Sequence, residues 1–237
     1  VVPRVSVPLI ADDLCHLPQL RKEAAGRKII QNELLQSFDL ARGPLFRTRL
    51  VRLAQKEHLL LIAMHQIIVD GWSLGVLTNE LATLYESFVG GNDSQLPPLA
   101  MQYADFAAWQ RLWRSHPDVS AQLAYWREQL RESLPMANFG GARRRRRTDP
   151  HQTAQRDLAL PPSLARALTE FSHREGCTLF MALVAGLKVL LNKYTGEVDL
   201  RVATNVANRN RPGTEKLIGP LVNTVILRTD LGGDPTV

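Results

Sequence analysis

The chain has 237 residues, 45% of them hydrophobic and 22% charged, which is enough apolar content for a packed core. Its net charge of +6 is local, because Arg143 to Arg147 supply five of the six units and elsewhere Lys and Arg interleave with Asp and Glu as on solvated helix faces, so specific nucleic-acid binding is not expected. Cys15 and Cys177 lie outside any Cys-x-x-Cys pair, Leu179 to Leu191 is too short an apolar run to span a bilayer, and the N-terminus has no signal-peptide layout, so the expectation is a cytoplasmic protein with no membrane segment, disulfide framework or metal site.

Helical spacing runs from Gln19 to Phe38 through Leu20, Ala24, Ile30, Leu34, Leu35 and Phe38, and Asp39 to Pro44 turns the chain. Phe46 to Leu53 alternates apolar residues with Arg47, Arg49 and Arg52, which predicts a strand with one wet face; His58 to Met64 is almost wholly apolar, which predicts a central strand. Ala54 to Glu57 joins the two as a hairpin. Ser73 is a candidate cap for a helix to Phe88 that Gly90-Gly91 ends.

Leu96-Pro97-Pro98-Leu99 reads as an extended connector, after which Tyr103 to Trp109 and Trp113 begin a helix and Ala121 to Leu130 form a second. Trp109 and Trp113 are i and i+4 neighbours on one helix face, for which core packing is the plain explanation. Residues 135–155 are rich in Gly, Arg and Pro without apolar periodicity and mark a linker. Beyond it a strand is predicted over Arg156 to Leu160, a helix over Ser163 to Glu175, and an apolar helix capped by Thr178 that runs to Lys193 and stops at Gly196. Two strands follow, Val198 to Val206 and Asn223 to Leu231. The pattern is α/β in two blocks.

The most informative stretch is His65-Gln66-Ile67-Ile68-Val69-Asp70-Gly71-Trp72-Ser73, where a buried strand hands over to a helix. Junctions of this kind expose functional side chains. Asp70-Gly71 is a turn pair, and an aspartate there is suited to fixing loop geometry through backbone or arginine contacts. His65 on its own admits two readings: a satisfied histidine bonded to backbone, or a working imidazole.

The string resembles the core motif His-His-x-x-x-Asp-Gly of the condensation domains of non-ribosomal peptide synthetases, in the chloramphenicol-acetyltransferase-like superfamily, and falls on His65, Gln66, Asp70 and Gly71. A second family motif, Tyr-x-Asp-Tyr/Phe-Ala-x-Trp, falls on Tyr103, Asp105, Phe106, Ala107 and Trp109. A third, Ile-Gly-x-Phe-Val-Asn-Thr with a following basic residue, falls on Ile218, Gly219, Val222, Asn223, Thr224 and Arg228. Phe38-Asp39-Leu40, Gly43-Pro44-Leu45 and Ala207 to Arg211 give further support.

The resemblance implies a two-lobed α/β fold with mixed sheets covered by helices, incomplete at both ends: residues 1–134 as part of one lobe, 135–155 as linker and 156–237 as the start of the other. It implies a tunnel loaded by upstream and downstream peptidyl carrier proteins beside an adenylation domain, with phosphopantetheine on the carriers and no cofactor on the domain itself. The acceptor's α-amine attacks the donor thioester and an amide forms. The family's second histidine is its base or positioning group, and Gln66 takes that place. Asp70 is implied to be structural, paired with an arginine of the other lobe at Arg209, with Arg211 as the alternative; His65 is implied to be mainly structural, and Trp72, Ser73, Gly219 and Asn223 to shape the tunnel.

Gln66 cannot take a proton near neutral pH, so impaired condensation is expected. Pro220-Leu221 and the arginine run also depart from the family pattern. A non-catalytic domain that binds carriers or recruits a partner enzyme, an epimerisation-type relative, and a polyanion-binding protein stand as alternatives. The isolated chain, covering roughly the middle half of such a domain, is expected to be inactive.

Overall fold

The computed structural model describes residues 6–93, 96–131 and 157–233. They group into two compact units, drawn from the described parts of Val1–His116 with Ala207–Asn223 and of Pro117–Val206 with Thr224–Val237. This division differs from the expected one at a 135–155 linker: the chain enters the second unit at Pro117, and residues 207–223 return to the first. The linker and its arginine run lie outside the described residues.

The first unit carries a sheet in the order β1 (Leu9–Asp13), β2 (Phe46–Ala54), β3 (Glu57–Met64). β1 runs parallel to β2 with Leu9 opposite Thr48, and β2 pairs antiparallel with β3, Phe46 opposite Met64 and Val51 opposite Leu59. Gln55 and Lys56 form the hairpin turn. The apolar run of β3 predicted a central strand, but among the described residues β2 holds that place and β3 the edge. The reason is β1, too short and too mixed to give a periodic signal, which occupies the other edge of β2.

The expected wet face of β2 is also corrected. Arg47 and Arg49 point to the same side as fully buried Val51 and meet Glu33 of helix α1 (Gln19–Leu35) at 3.3 and 2.9 Å; Arg49 also meets Asp12 at 2.8 Å. Arg47 further donates to the carbonyls of Glu33, Gln36 and Ser37 at 3.2, 2.8 and 3.4 Å. The Glu33 and Gln36 carbonyls are among those the C-terminal end of α1 leaves unsatisfied, and Ser37 lies just beyond it. The helix ends there, short of Phe38, with Gln36 extended.

Helix α2 (Gly71–Val89) follows the motif, and α3 (Tyr103–Trp113) opens with a capping box in which the Gln102 amide donates to Asp105 Oδ2 at 2.8 Å. The motif residue Asp105 is therefore a helix-capping group. Phe106 and the loop residues Leu217 and Leu221 form a buried cluster, with Met101, Tyr103 and Trp109 packed against it.

The second unit holds α4 (Pro117–Gln129), α5 (Pro162–Arg174), α6 (Leu179–Thr195) and the paired strands β4 (Asp199–Val206) and β5 (Asn223–Asp230), of which Asn223 itself groups with the first unit. Thr178 caps α6 by accepting from the Met181 amide at 3.2 Å, and Gly196 ends it in the left-handed region at φ 73°. The strand predicted over Arg156 to Leu160 is absent from its described part, 157–160. Pro161 and Pro162 follow immediately, donate no backbone hydrogen bond, and open α5 instead. Arg228 of β5 clamps Asp199 of β4 through Nε at 2.9 Å and Nη2 at 2.6 Å.

Lys188 of α6 is buried at 3% exposure; its ammonium donates to the Leu227 carbonyl at 2.9 Å and to the Thr229 hydroxyl. Among the described residues no carboxylate meets it. Burial therefore holds its pKa below the ordinary lysine value. Between its folded value and about 10.4 the unfolded chain binds more protons, so the contribution of Lys188 to stability rises with pH across that interval. Denaturant unfolding should show the wild-type chain gaining stability relative to Lys188→Met as the pH is raised toward 10; a difference that does not change with pH would contradict the assignment.

Candidate active site

The residues of the motif are organised by one carboxylate. Asp70 is the N-cap of α2, and its Oδ1 accepts from the Ser73 amide at 2.8 Å, the Ser73 hydroxyl at 2.7 Å and Arg209 Nη2 at 2.9 Å. Its Oδ2 accepts from the Leu221 and Val222 amides at 3.0 and 3.2 Å. A cap aspartate also meets the positive end of the helix dipole. Ser73, the cap expected from sequence, instead stands within the first turn of the helix. It is fully buried, and its hydroxyl accepts from the Gly219 amide at 3.0 Å and Arg209 Nη2 at 2.9 Å. The carbonyl of Gly219 lies 3.0 Å from the same hydroxyl; having one hydrogen, the hydroxyl serves either this carbonyl or Asp70 at a time.

Arg209 completes the cluster. Its Nη1 donates to the carbonyls of Thr214 and Leu217, both at 2.7 Å. With side-chain exposures of 2% for Arg209 and 6% for Asp70, this is a buried ion pair whose desolvation is offset only because most of its hydrogen-bonding groups are satisfied. Among the described residues Arg209 Nε alone of its nitrogens lacks a partner. Arg209, and not Arg211, pairs with Asp70, and it does so from within the same compact unit, where the resemblance had implied the other lobe. Burial would raise the Asp70 pKa, but the hydrogen bonds from Ser73, Leu221 and Arg209 outweigh it and hold the carboxyl below its ordinary value.

Gly219 has a steric reason to be glycine. A Cβ there would stand 2.2 Å from Cδ2 of the Tyr103 ring, so α3 and the 207–222 segment approach in a way only a missing side chain permits. Trp72 is half exposed and donates its indole N–H to the Glu215 carbonyl at 2.9 Å. With Gly71 it lines a cavity of about 590 Å³ bounded by α2, Leu96 to Leu99, Glu215 and Lys216. A Cβ added at Gly71 would meet nothing within 4 Å.

His65 sits just past β3. Its amide donates to the Leu45 carbonyl at 3.0 Å, its Nδ1 accepts from the Ile67 amide at 3.2 Å, and Phe38 meets its ring edge-on at 6.1 Å between centroids. A ring that accepts through Nδ1 keeps its proton on Nε2, so the imidazole is committed to its own turn. Gln66 is exposed at the tip of that turn, and among the described residues its amide takes no hydrogen bond. Asn223 is exposed at the start of β5 and takes no part in the cluster. The Leu221 and Val222 amides, Thr214 and the Tyr103 ring were not named as site residues from sequence. Tyr103 and Gly219 each lie in a family motif, but nothing along the chain pairs them.

A family model described as "Condensation domain" matches residues 3–237. The chain belongs to the condensation domain family. This condensation domain is 42% identical over 224 residues to a linear gramicidin synthase of Brevibacillus parabrevis, an alignment covering 94% of the chain and 4% of that protein. Among solved structures, SgcC5 from Streptomyces globisporus aligns with a TM-score of 0.77 at 30% identity, covering 98% of this chain and 52% of that one. The X-domain from teicoplanin biosynthesis aligns with a TM-score of 0.83 at 28% identity, covering 98% and 51%. The chain thus spans about half the length of these solved domains and a small part of the synthase. The fold is the α/β chloramphenicol-acetyltransferase-like one expected from the motifs. Among the described residues no group of three or more His, Cys, Asp or Glu could hold a metal ion, and no single helix is long and apolar enough to cross a membrane.

Two outcomes follow from this geometry. Asp70→Asn should cost about 3–5 kcal/mol, because it strips a buried guanidinium of its counter-charge. A carboxyl held below its unfolded value of about 3.9 contributes stability above that value and loses it as the pH falls through the folded one, so the gap between wild type and Asp70→Asn should narrow below about pH 4 in denaturant unfolding. Gly219→Ala should cost about 1–3 kcal/mol by overpacking, and combined with Tyr103→Ala the loss should fall short of the sum of the single losses. Additivity would show that the two do not touch.

Proposed function

We propose that the His65–Ser73 turn is the reacting end of an amide-forming domain and that Gln66 impairs it. In this reading the donor is an acyl or peptidyl thioester and the acceptor an aminoacyl thioester, each borne on the phosphopantetheine arm of an upstream or downstream carrier protein, in a cytoplasmic synthetase that also holds an adenylation domain. The acceptor amine attacks the thioester carbonyl, the carbon–sulfur bond breaks, and the amine's proton goes to the departing thiolate, which leaves a free thiol on the donor carrier's arm and the new amide on the acceptor's carrier. Similarity to a linear gramicidin synthase supports the reaction class.

The observation that carries the impairment is the position of Gln66: exposed at the tip of a turn that His65 and Asp70 hold from either side. A glutamine amide donates and accepts hydrogen bonds but takes up no proton near pH 7. It can still orient an incoming amine. An α-amine with a pKa near 7.7–8.0 is partly neutral without help, and holding two reactants together supplies effective molarities of about 10⁵–10⁸ M, against about 10²–10⁴-fold for a general base. Residual turnover is therefore compatible with Gln66, and the missing factor is the removal of the proton after attack.

The same turn favours a second reading. The teicoplanin X-domain is solved in complex with OxyB, and a domain that keeps the Asp70 cluster while replacing the proton-accepting residue fits a scaffold that binds carriers or a partner enzyme. Gln66→His in the full-length synthetase separates the two. With carriers loaded on both sides, the condensation reading expects a rise of about 10²–10⁴-fold in amide formation; an unchanged rate with carrier binding retained would overturn it in favour of the scaffold.

A further inference from the structure

We infer that Arg211 and Trp109 are positioning residues of this site, seating the 209–222 segment so that its amides and Arg209 meet Asp70. The inference rests on the reading of the Asp70 turn as the place of condensation. The Arg211 guanidinium carbon stands 3.6 Å from the centroid of Trp109 and 5.3 Å from that of Trp113, and the two indoles are stacked on each other at 5.7 Å. Among the described residues this guanidinium has no carboxylate partner, so the α3 indoles are what holds it. A planar cation over an indole face is an attraction that lysine reproduces only in part.

From there the contacts run without a gap to the site. The Arg211 carbonyl accepts from the Thr214 amide at 3.1 Å and the Thr214 hydroxyl at 2.6 Å. The Thr214 carbonyl accepts from Arg209 Nη1, and Arg209 Nη2 reaches Asp70. Thr214 is fully buried, which leaves this turn little room to rearrange. Downstream, the Tyr103 ring sits against Gly219 and the Leu221 side chain is buried beside Phe106. The segment is thus tied to α3 at both ends, by the Trp109 indole before Arg209's carbonyl partners and by Tyr103 and Phe106 after them. Its Leu221 and Val222 amides lie at the end of that path. Without the Arg211 end, the segment would keep its apolar anchor and lose what orients its polar groups.

Amide hydrogen exchange and a carboxyl titration of the chain test this, and neither needs turnover, so a failure of the condensation reading would leave them standing. In Arg211→Gln, exchange at Leu221 and Val222 should accelerate about two- to fivefold relative to the β2 amides, the scale of an exposed cation–π contact. The Asp70 carboxyl should titrate at higher pH than in wild type, and Arg211→Lys should fall between the two. Trp emission should change in Arg211→Gln, reporting release of the indoles. Unchanged exchange at Leu221 and Val222, or an acceleration shared equally by β2 and β3 together with a lower unfolding midpoint, would overturn the assignment.

Discussion

The Asp70 carboxylate accepts hydrogen bonds from the first turn of α2, from Arg209 and from two backbone amides about 150 residues further along the chain. A buried charge is tolerated only when nearly every lone pair is engaged, and Asp70 meets that condition by drawing the strand-to-helix turn and the 207–222 segment to one point. Ser73, with no exposure, shares Arg209 with it and also accepts from the Gly219 amide. The turn that presents position 66 therefore does not depend on local propensity alone. Its downstream end is a helix cap, and the cap is also an ion pair.

How much of this was legible in the sequence differs by residue. Helices α2, α3, α5 and α6 and strands β2 to β5 were readable from the periodic spacing of their apolar residues and from nearby Gly and Pro punctuation. β1 was not, since Leu9 to Asp13 is short and gains its place only by pairing with β2. The Arg47 and Arg49 face read as wet because a sequence does not show that Glu33 of α1 lies across from it. Asp157 to Leu160 resembled a strand by composition and has none of the pairing that makes one.

At the site, the Asp70 to Arg209 pair was anticipated by family resemblance and not by spacing. Its placement within one compact unit was not anticipated, because the boundary was drawn at a composition change while residues 207–223 fold back onto α2 and α3. Ser73 read as the cap because a serine just before an apolar helix usually is one; Asp70, a carboxylate facing the positive helix end, takes the role. The close approach of Tyr103 to Gly219 and the seating of Arg211 on Trp109 are tertiary facts that no local rule encodes. The turn at position 66 is anchored by the Asp70 cluster, while Gln66 itself is exposed and carries a side chain that takes up no proton near pH 7. That combination of an intact support and an altered tip is what the proposed reading as an impaired catalyst or a scaffold rests on.

The buried Asp70 to Arg209 pair ties the motif turn to the 207–222 segment. A double-mutant cycle on Asp70→Asn and Arg209→Met, read by denaturant unfolding of the chain, measures it directly. A coupling of about 1.5–3 kcal/mol is expected, the upper part of the range for residues in one hydrogen-bonded network. A coupling near zero, with the two losses simply adding, would contradict it.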